Sequence, residues 1–303
     1  MPDQHLASAI QLVFELMYGS RVFDGSLEWC VGVFRTPTGA METVVTSNEG
    51  AGYIPAGVFL PRSARALFAD SLVDSEFREQ WFGRSNPVET MVAYAELRRG
   101  EAGRLPLYAV AASALAGGEY VSVGPAEEVG VEHVSLCYPD ESPFKPETHG
   151  DQLLDAAHMH RLDVADPVLM RWMEAPDRSL GELVGRCARL TTVAFETVNA
   201  RLGTSGMVLP DPVVGIYNWL EYSGGDISES QWDELRATVA LAVSEASALR
   251  PTGDGLLSIE QYRRLHDIAR LAELLYWWRP VGDEKSILFM ELAYTARQIV
   301  DSE

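Results

Sequence analysis

The sequence predicts an α/β or α+β layer domain followed by an all-helical bundle. Three observations carry that expectation. Between residues 28 and 138, four short apolar stretches have the composition of strands, whereas beyond residue 150 the strand period vanishes. Pro139, Pro143 and Pro146 fall close together among polar neighbours, which is the composition of a linker. Past them, Ser179-x-x-Glu182, Ser228-x-x-Gln231 and Ser258-x-x-Gln261 fit the capping box, in which two side chains satisfy backbone donors at a helix start. The expected organisation is an α/β domain over 1–138, a proline-rich linker over 139–150 and a helical bundle over 151–303.

The first element is a helix over 4–18, where Leu6, Ile10, Val13, Phe14 and Met17 recur at helical spacing and Gly19 stops it. In 28–35 both alternating sets, Trp29/Val31/Val33 and Cys30/Gly32/Phe34, are apolar, as in a strand covered on both faces. Thr36-Pro37-Thr38-Gly39 supplies turn chemistry and 41–46 returns as the second strand of a hairpin. Helices are expected near 62–70 and 74–82, and another from Asn86-Pro87-Val88-Glu89 to Arg98, announced by an N-cap, a first-turn proline and an acid. Residues 105–113 and 131–138 are the remaining strand candidates, separated by the glycine-containing 116–126. Beyond the linker, helices are expected near 166–174, 179–202, 211–222, 228–249, 258–278 and 284–301.

With a net charge of −20, divided between the halves as 10 basic and 20 acidic residues in 1–150 and 14 and 24 in 151–303, neither half is a basic module. Nucleic-acid binding rests on Lys and Arg neutralising phosphates, so it is excluded as a role. Cys30, Cys137 and Cys187 are odd in number and far apart, which suits a reducing compartment and gives neither a disulfide framework nor a cysteine zinc site. No stretch approaches the roughly 18 uninterrupted apolar residues of a membrane helix, so a soluble, cytoplasmic protein without membrane insertion is expected. No metal or cofactor is expected.

The most particular stretch is Val44–Pro61, VVTSNEGAGYIPAGVFLP, with three glycines and two prolines around Ser47-Asn48-Glu49. Glu49, beside Asn48 and the Gly50-Ala51-Gly52 turn, would serve as a general base if its pKa were raised; turn geometry alone is the competing explanation. The G-x-G here is no phosphate loop, because Tyr53-Ile54-Pro55 breaks the fingerprint. His149, His158 and His160 with Asp151 and Asp155 are the densest potential metal cluster, at a spacing that does not make ligands converge. His133 and Cys137 share a strand face without a third group to orient them. Trp219, Tyr222, Trp277 and Trp278, with Tyr217, serve either as core filling or as interface aromatics.

The run VVTSNEGAGYIPAGVFLP, followed by RSARALFAD and by WFGRSNPVETMVAYAEL, resembles the C-terminal region of EspK and its relatives, secretion-associated proteins of actinobacterial type VII (Esx) systems, over about residues 28–98. The resemblance implies a non-enzymatic adaptor or chaperone that binds a secreted Esp-type substrate, with Ser47, Asn48, Glu49, Gly50, Gly52 and Tyr53 or the four aromatic residues as contact candidates, and with export through the type VII system as the alternative location. The proline-rich leader of the family member is absent here, so a truncated or shorter relative is expected. Trp81-Phe82-Gly83, Tyr217-x-x-x-Glu221 and Tyr222-x-x-x-Asp226 match the letters of a type VII secretion signal but lie far apart, and are not read as one. The first domain also resembles the cytidine-deaminase fold, without the H-x-E or C-x-E and P-C-x-x-C zinc ligands that a deaminase needs. A degenerate deaminase- or hydrolase-like enzyme centred on Glu49 is the alternative function.

Overall fold

The computed structural model describes residues 3–20, 27–36, 38–101, 106–115, 120–144, 156–223, 226–252, 256–279 and 285–300. The chain divides into two compact units, residues 1–164 together with 250–255, and residues 165–249 together with 256–303. The division falls later than the expected 139–150 linker, much of which lies outside the described residues, and a short segment between two helices of the second unit is counted with the first.

In the first unit, α1 (Gln4–Ser20) precedes β1 (Trp29–Arg35) and β2 (Met41–Ser47). Strands β3 (Leu60–Pro61) and β4 (Ala64–Ala66), then α2 (Ser75–Gln80) and α3 (Pro87–Glu101), lead to β5 (Leu107–Ser113), α4 (Gly124–Glu128), β6 (His133–Cys137) and β7 (His158–Met159). The main sheet has the order β4-β2-β1-β5-β6. The hairpin β1/β2 is antiparallel, from Trp29 opposite Ser47 to Arg35 opposite Met41. Strand β5 is antiparallel to β1, whereas β6 is parallel to β5.

Both faces of β1 are covered, as its doubly apolar sequence requires. Helix α1 packs on β1 and β5, and Trp29 Nε1 donates to Ser20 Oγ at 3.0 Å on that side. Helix α3 packs on β1, β2 and β5. There a Cβ added at Gly32 would meet Met91 Sδ at 2.6 Å and Leu107 Cδ1 at 3.1 Å. Cys30, Phe34, Val44, Met91, Tyr94, Leu107 and Val110 form the core on this face.

The expected helix over 62–70 is replaced by β4 and a single 3-10 turn at Leu67–Ala69. Pairing overrides local propensity here: Thr43–Val45 of β2 offers a free edge, and Ala64–Ala66 joins it in parallel. Just upstream, Leu60 and Pro61 pair with Met159 and His158, so a strand occurs beyond residue 150 after all. Two residues are too few to show a period. Helix α4 was not expected in the glycine-containing connection.

The second unit consists of α6 (Pro167–Met173), α7 (Leu180–Thr204), α8 (Asp211–Asn218), α9 (Glu229–Ala248), α10 (Leu256–Tyr276) and α11 (Lys285–Val300), after α5 (Arg161–Ala165), which ends at the division. The Ser179/Glu182 and Ser228/Gln231 capping boxes form as read, and Asp166 caps α6 by accepting from the Leu169 N–H at 2.8 Å. Ser258 does not start α10, which begins at Leu256. Pro210, rather than Asp211, is the N-cap of α8, whose last part runs on as a π-helical turn over Trp219–Ser223. Helix α10 is central, packing against α7, α8, α9 and α11, and is buried without interruption from His266 to Leu275. Among the described residues no helix is long and apolar enough to cross a membrane.

Candidate functional site

The loop after β2 turns inward. Ser47, Asn48 and Glu49 are at most 4% exposed and Tyr53 is fully buried. The Ser47 hydroxyl donates to the Tyr53 carbonyl at 2.8 Å, and the Tyr53 N–H to the Glu49 carbonyl at 2.8 Å. Gly50 and Gly52 have φ of 52° and 67°, the left-handed region where a side chain is strained. A Cβ at Gly52 would also stand 2.7 Å from the Phe68 ring. The Gly50 carbonyl accepts from the Gly83 N–H at 2.7 Å, so Trp81-Phe82-Gly83 is part of the turn that buttresses this loop.

Four further polar residues complete the cluster, none of them expected from the sequence. Asn48 bonds Glu28 through both backbone and side chain: its Oδ1 accepts from the Glu28 N–H at 2.9 Å, and its own N–H donates to the Glu28 carbonyl at 3.0 Å. The Glu28 carboxylate accepts from the Ser113 hydroxyl and, at 2.8 Å, from the Leu115 N–H. Burial pushes the Glu28 carboxyl above its ordinary value, against the opposing pull of those two donors and of the Arg250 charge. The Arg250 guanidinium bonds Glu49 Oε2 at 2.5 Å, both side chains being almost fully buried. Ser85 then holds the next residue, its N–H and its hydroxyl each reaching the Pro251 carbonyl at 3.0 Å.

Arg161 plays the corresponding part on the other side of the loop. Only 1% exposed, it donates to the Tyr53 hydroxyl at 2.7 Å and to the Ile54 carbonyl at 2.8 Å. Arg161 and Arg250 stand some 110 and 200 residues away from the loop. A lone arginine beside a helix end carries no local signal of such a destination. Glu28 did carry one, since an acid flanked by Leu27 and Trp29 at the head of an apolar strand needs buried partners.

The aromatic candidates belong to the second unit. Trp219 meets Trp232 edge to face at 6.4 Å, and Trp232 meets Tyr276 at 6.3 Å. Trp278 Nε1 donates to the Thr191 hydroxyl at 3.0 Å, while Trp277 is half-buried. Tyr222 is 79% exposed.

The remaining chemistry-bearing residues have structural partners. His160 is buried and its Nδ1 accepts from the Leu162 N–H at 3.1 Å; His149, Asp151 and Asp155 lie outside the described residues. Among the described residues no group of three or more His, Cys, Asp or Glu is placed to hold a metal ion. The His133 ring packs 4.7 Å from Tyr108. Burial pushes the Cys137 and Cys187 thiols up to about 12 and raises Cys30 as well, which holds all three in the unreactive thiol form.

These features define a two-unit protein whose first unit is an α/β layer closed around a buried polar loop and whose second is a helical bundle. A family model for the EspK C-terminal domain matches residues 20–205, and the chain belongs to that family. No curated protein matches it. Among solved structures, a fragment of the conserved hypothetical protein Rv3899c (residues 184–410) from Mycobacterium tuberculosis is similar at 14% identity and a TM-score of 0.36, over 97% of this chain and 96% of that one.

Proposed function

We propose that this protein is a non-enzymatic adaptor or chaperone of type VII secretion that binds an Esp-type substrate in the cytoplasm. The observation that carries the reading is membership in the EspK C-terminal family over residues 20–205. Among the contact candidates, Tyr222 is 79% exposed whereas Ser47, Asn48, Glu49 and Tyr53 are interior, which supports a contact surface on the helical unit. Solvent-facing tyrosine is an amphipathic anchor of the kind enriched at interfaces. Affinity purification of the native protein from its host tests the proposal: a stoichiometric Esp-type partner is expected, reduced at least tenfold by Tyr222→Ala. Recovery of the protein alone would sink it.

The second reading is a degenerate deaminase- or hydrolase-like enzyme centred on Glu49. What motivates it is the glycine-bracketed acid of the loop, Glu49, buried beside Ser47 and Asn48. Against it stands the pairing of the Glu49 carboxylate with the Arg250 guanidinium, which occupies one of its oxygens.

A further inference from the structure

Glu49 of the loop after β2 and Ser85, just before α3, converge on a short stretch of the same unit, Arg250-Pro251, and together they read three of its features. The carboxylate of Glu49, 1% exposed, takes the Arg250 guanidinium at 2.5 Å. The Ser85 hydroxyl reaches the Arg250 carbonyl at 3.3 Å and the Pro251 carbonyl at 3.0 Å. The Ser85 N–H adds a second bond to the Pro251 carbonyl at 3.0 Å. Pro251 is buried, and a proline brings no backbone N–H that burial would leave without a partner.

A second acid, Glu28, lies close enough for the Arg250 charge to act on its carboxyl. Asn48 ties the two acids' segments together, accepting from the Glu28 N–H and donating its Nδ2 to the Ser85 carbonyl at 3.4 Å. The charge at this place is therefore acidic, the hydrogen-bond donors face carbonyls, and the donor-free position is filled by proline. That combination recognises an arginine followed by a proline in an extended main chain, the conformation that the residue before proline prefers.

We propose that the Glu28/Asn48/Glu49/Ser85 cluster is an Arg-Pro peptide site held in the closed state by the chain's own Arg250-Pro251, and that a partner's Arg-Pro segment takes the same place when residues 250–251 leave it. The site accepts a basic peptide through a buried carboxylate and a pair of hydroxyl and amide donors. It stands independently of the secretion reading, because it follows from the polar groups around residues 250–251 and not from the family.

The test uses the full chain carrying Arg250→Ala and a fluorescent five-residue peptide with the sequence of residues 248–252, Ala-Leu-Arg-Pro-Thr, followed by anisotropy. The expected result is binding at least tenfold tighter to the variant than to the unchanged chain, and at least tenfold tighter than that of the same peptide with glutamine in place of arginine. Adding Glu49→Gln to the Arg250→Ala variant should abolish the difference between the two peptides. Equal binding of both peptides, or none to a variant that still unfolds cooperatively, overturns the proposal. Should Arg250→Ala not fold, the peptides are titrated into the unchanged chain and exchange of the Ser85 amide proton is followed. A change with the arginine peptide alone supports the site, and no change, or the same change with both peptides, overturns it.

Discussion

At the scale of single residues, Glu49 is where the competing readings meet. If it anchors Arg250, Glu49→Gln leaves a buried guanidinium without its counter-charge, and such one-sided removals cost about 3–5 kcal/mol. We therefore expect a large drop in the denaturant midpoint of the first unit, partly relieved by pairing Glu49→Gln with Arg250→Met, which removes both charges. A general base would behave differently: glutamine is nearly isosteric, and stability would hardly move while an activity disappeared. Gly52 gives a second expectation. Its φ of 67° and the Phe68 ring 2.7 Å from a would-be Cβ both oppose a side chain, so Gly52→Ala should destabilise by about 1–3 kcal/mol. Urea unfolding compared with Gly57→Ala checks this, since Gly57 shares the positive φ but has no atom within 4 Å of an added Cβ. Only a smaller loss at Gly57 fits the contact with Phe68.

At the scale of elements, the capping box at Ser179 and Glu182 was legible because it is local, and it forms with both reciprocal bonds. Ser179→Ala should cost α7 about 1 kcal/mol, read as a lower thermal midpoint of the second unit, with Ser179→Asp retaining most of the stability. A midpoint unchanged in Ser179→Ala would mean that packing of α7 against α11 alone holds the helix start. The hairpin β1/β2 and the strands β5 and β6 were legible for a similar reason, since period and turn chemistry lie within a dozen residues. What was not legible depends on distant pairing. Ala64–Ala66 becomes a strand only because β2 has an edge to offer, and His158–Met159 only because Leu60 and Pro61 are there to meet it. The glycines mark the loop as particular, whereas its purpose has no local mark, because Arg161, Arg250 and Ser85 arrive from elsewhere in the chain. The proline-rich stretch marked a change in composition, but the buried Arg161 carries the first unit on to residue 164.

At the scale of the whole molecule, charge and burial act in the same direction with pH. The net charge of −20 makes the folded chain repel itself at neutral pH, and each unit also buries an acid whose carboxyl is raised. In the first unit that acid is Glu28. In the second it is Asp267, pushed up to about 6 by burial, with Arg201 bonded at 3.1 Å and Arg263 nearby pulling the other way. A carboxyl raised on folding binds its proton more tightly in the native state, so its stabilising contribution is fully present below the unfolded value near 3.8 and is lost as pH rises through about 6. Stability should therefore increase as pH falls from about 7.5 towards 5.5, short of the isoelectric region near 4.7 where net repulsion vanishes and association sets in. Asp267→Asn removes the titrating group while Arg201 keeps its bond to the Ile299 carbonyl at 3.2 Å. The variant should gain relative to the unchanged protein at pH 7.5, by an amount on the order of 1–3 kcal/mol, and lose that advantage at pH 5. Thermal melts of both proteins across this range, repeated at high salt to screen the net repulsion, decide the matter: parallel pH profiles for the two would show that Asp267 does not titrate in this window.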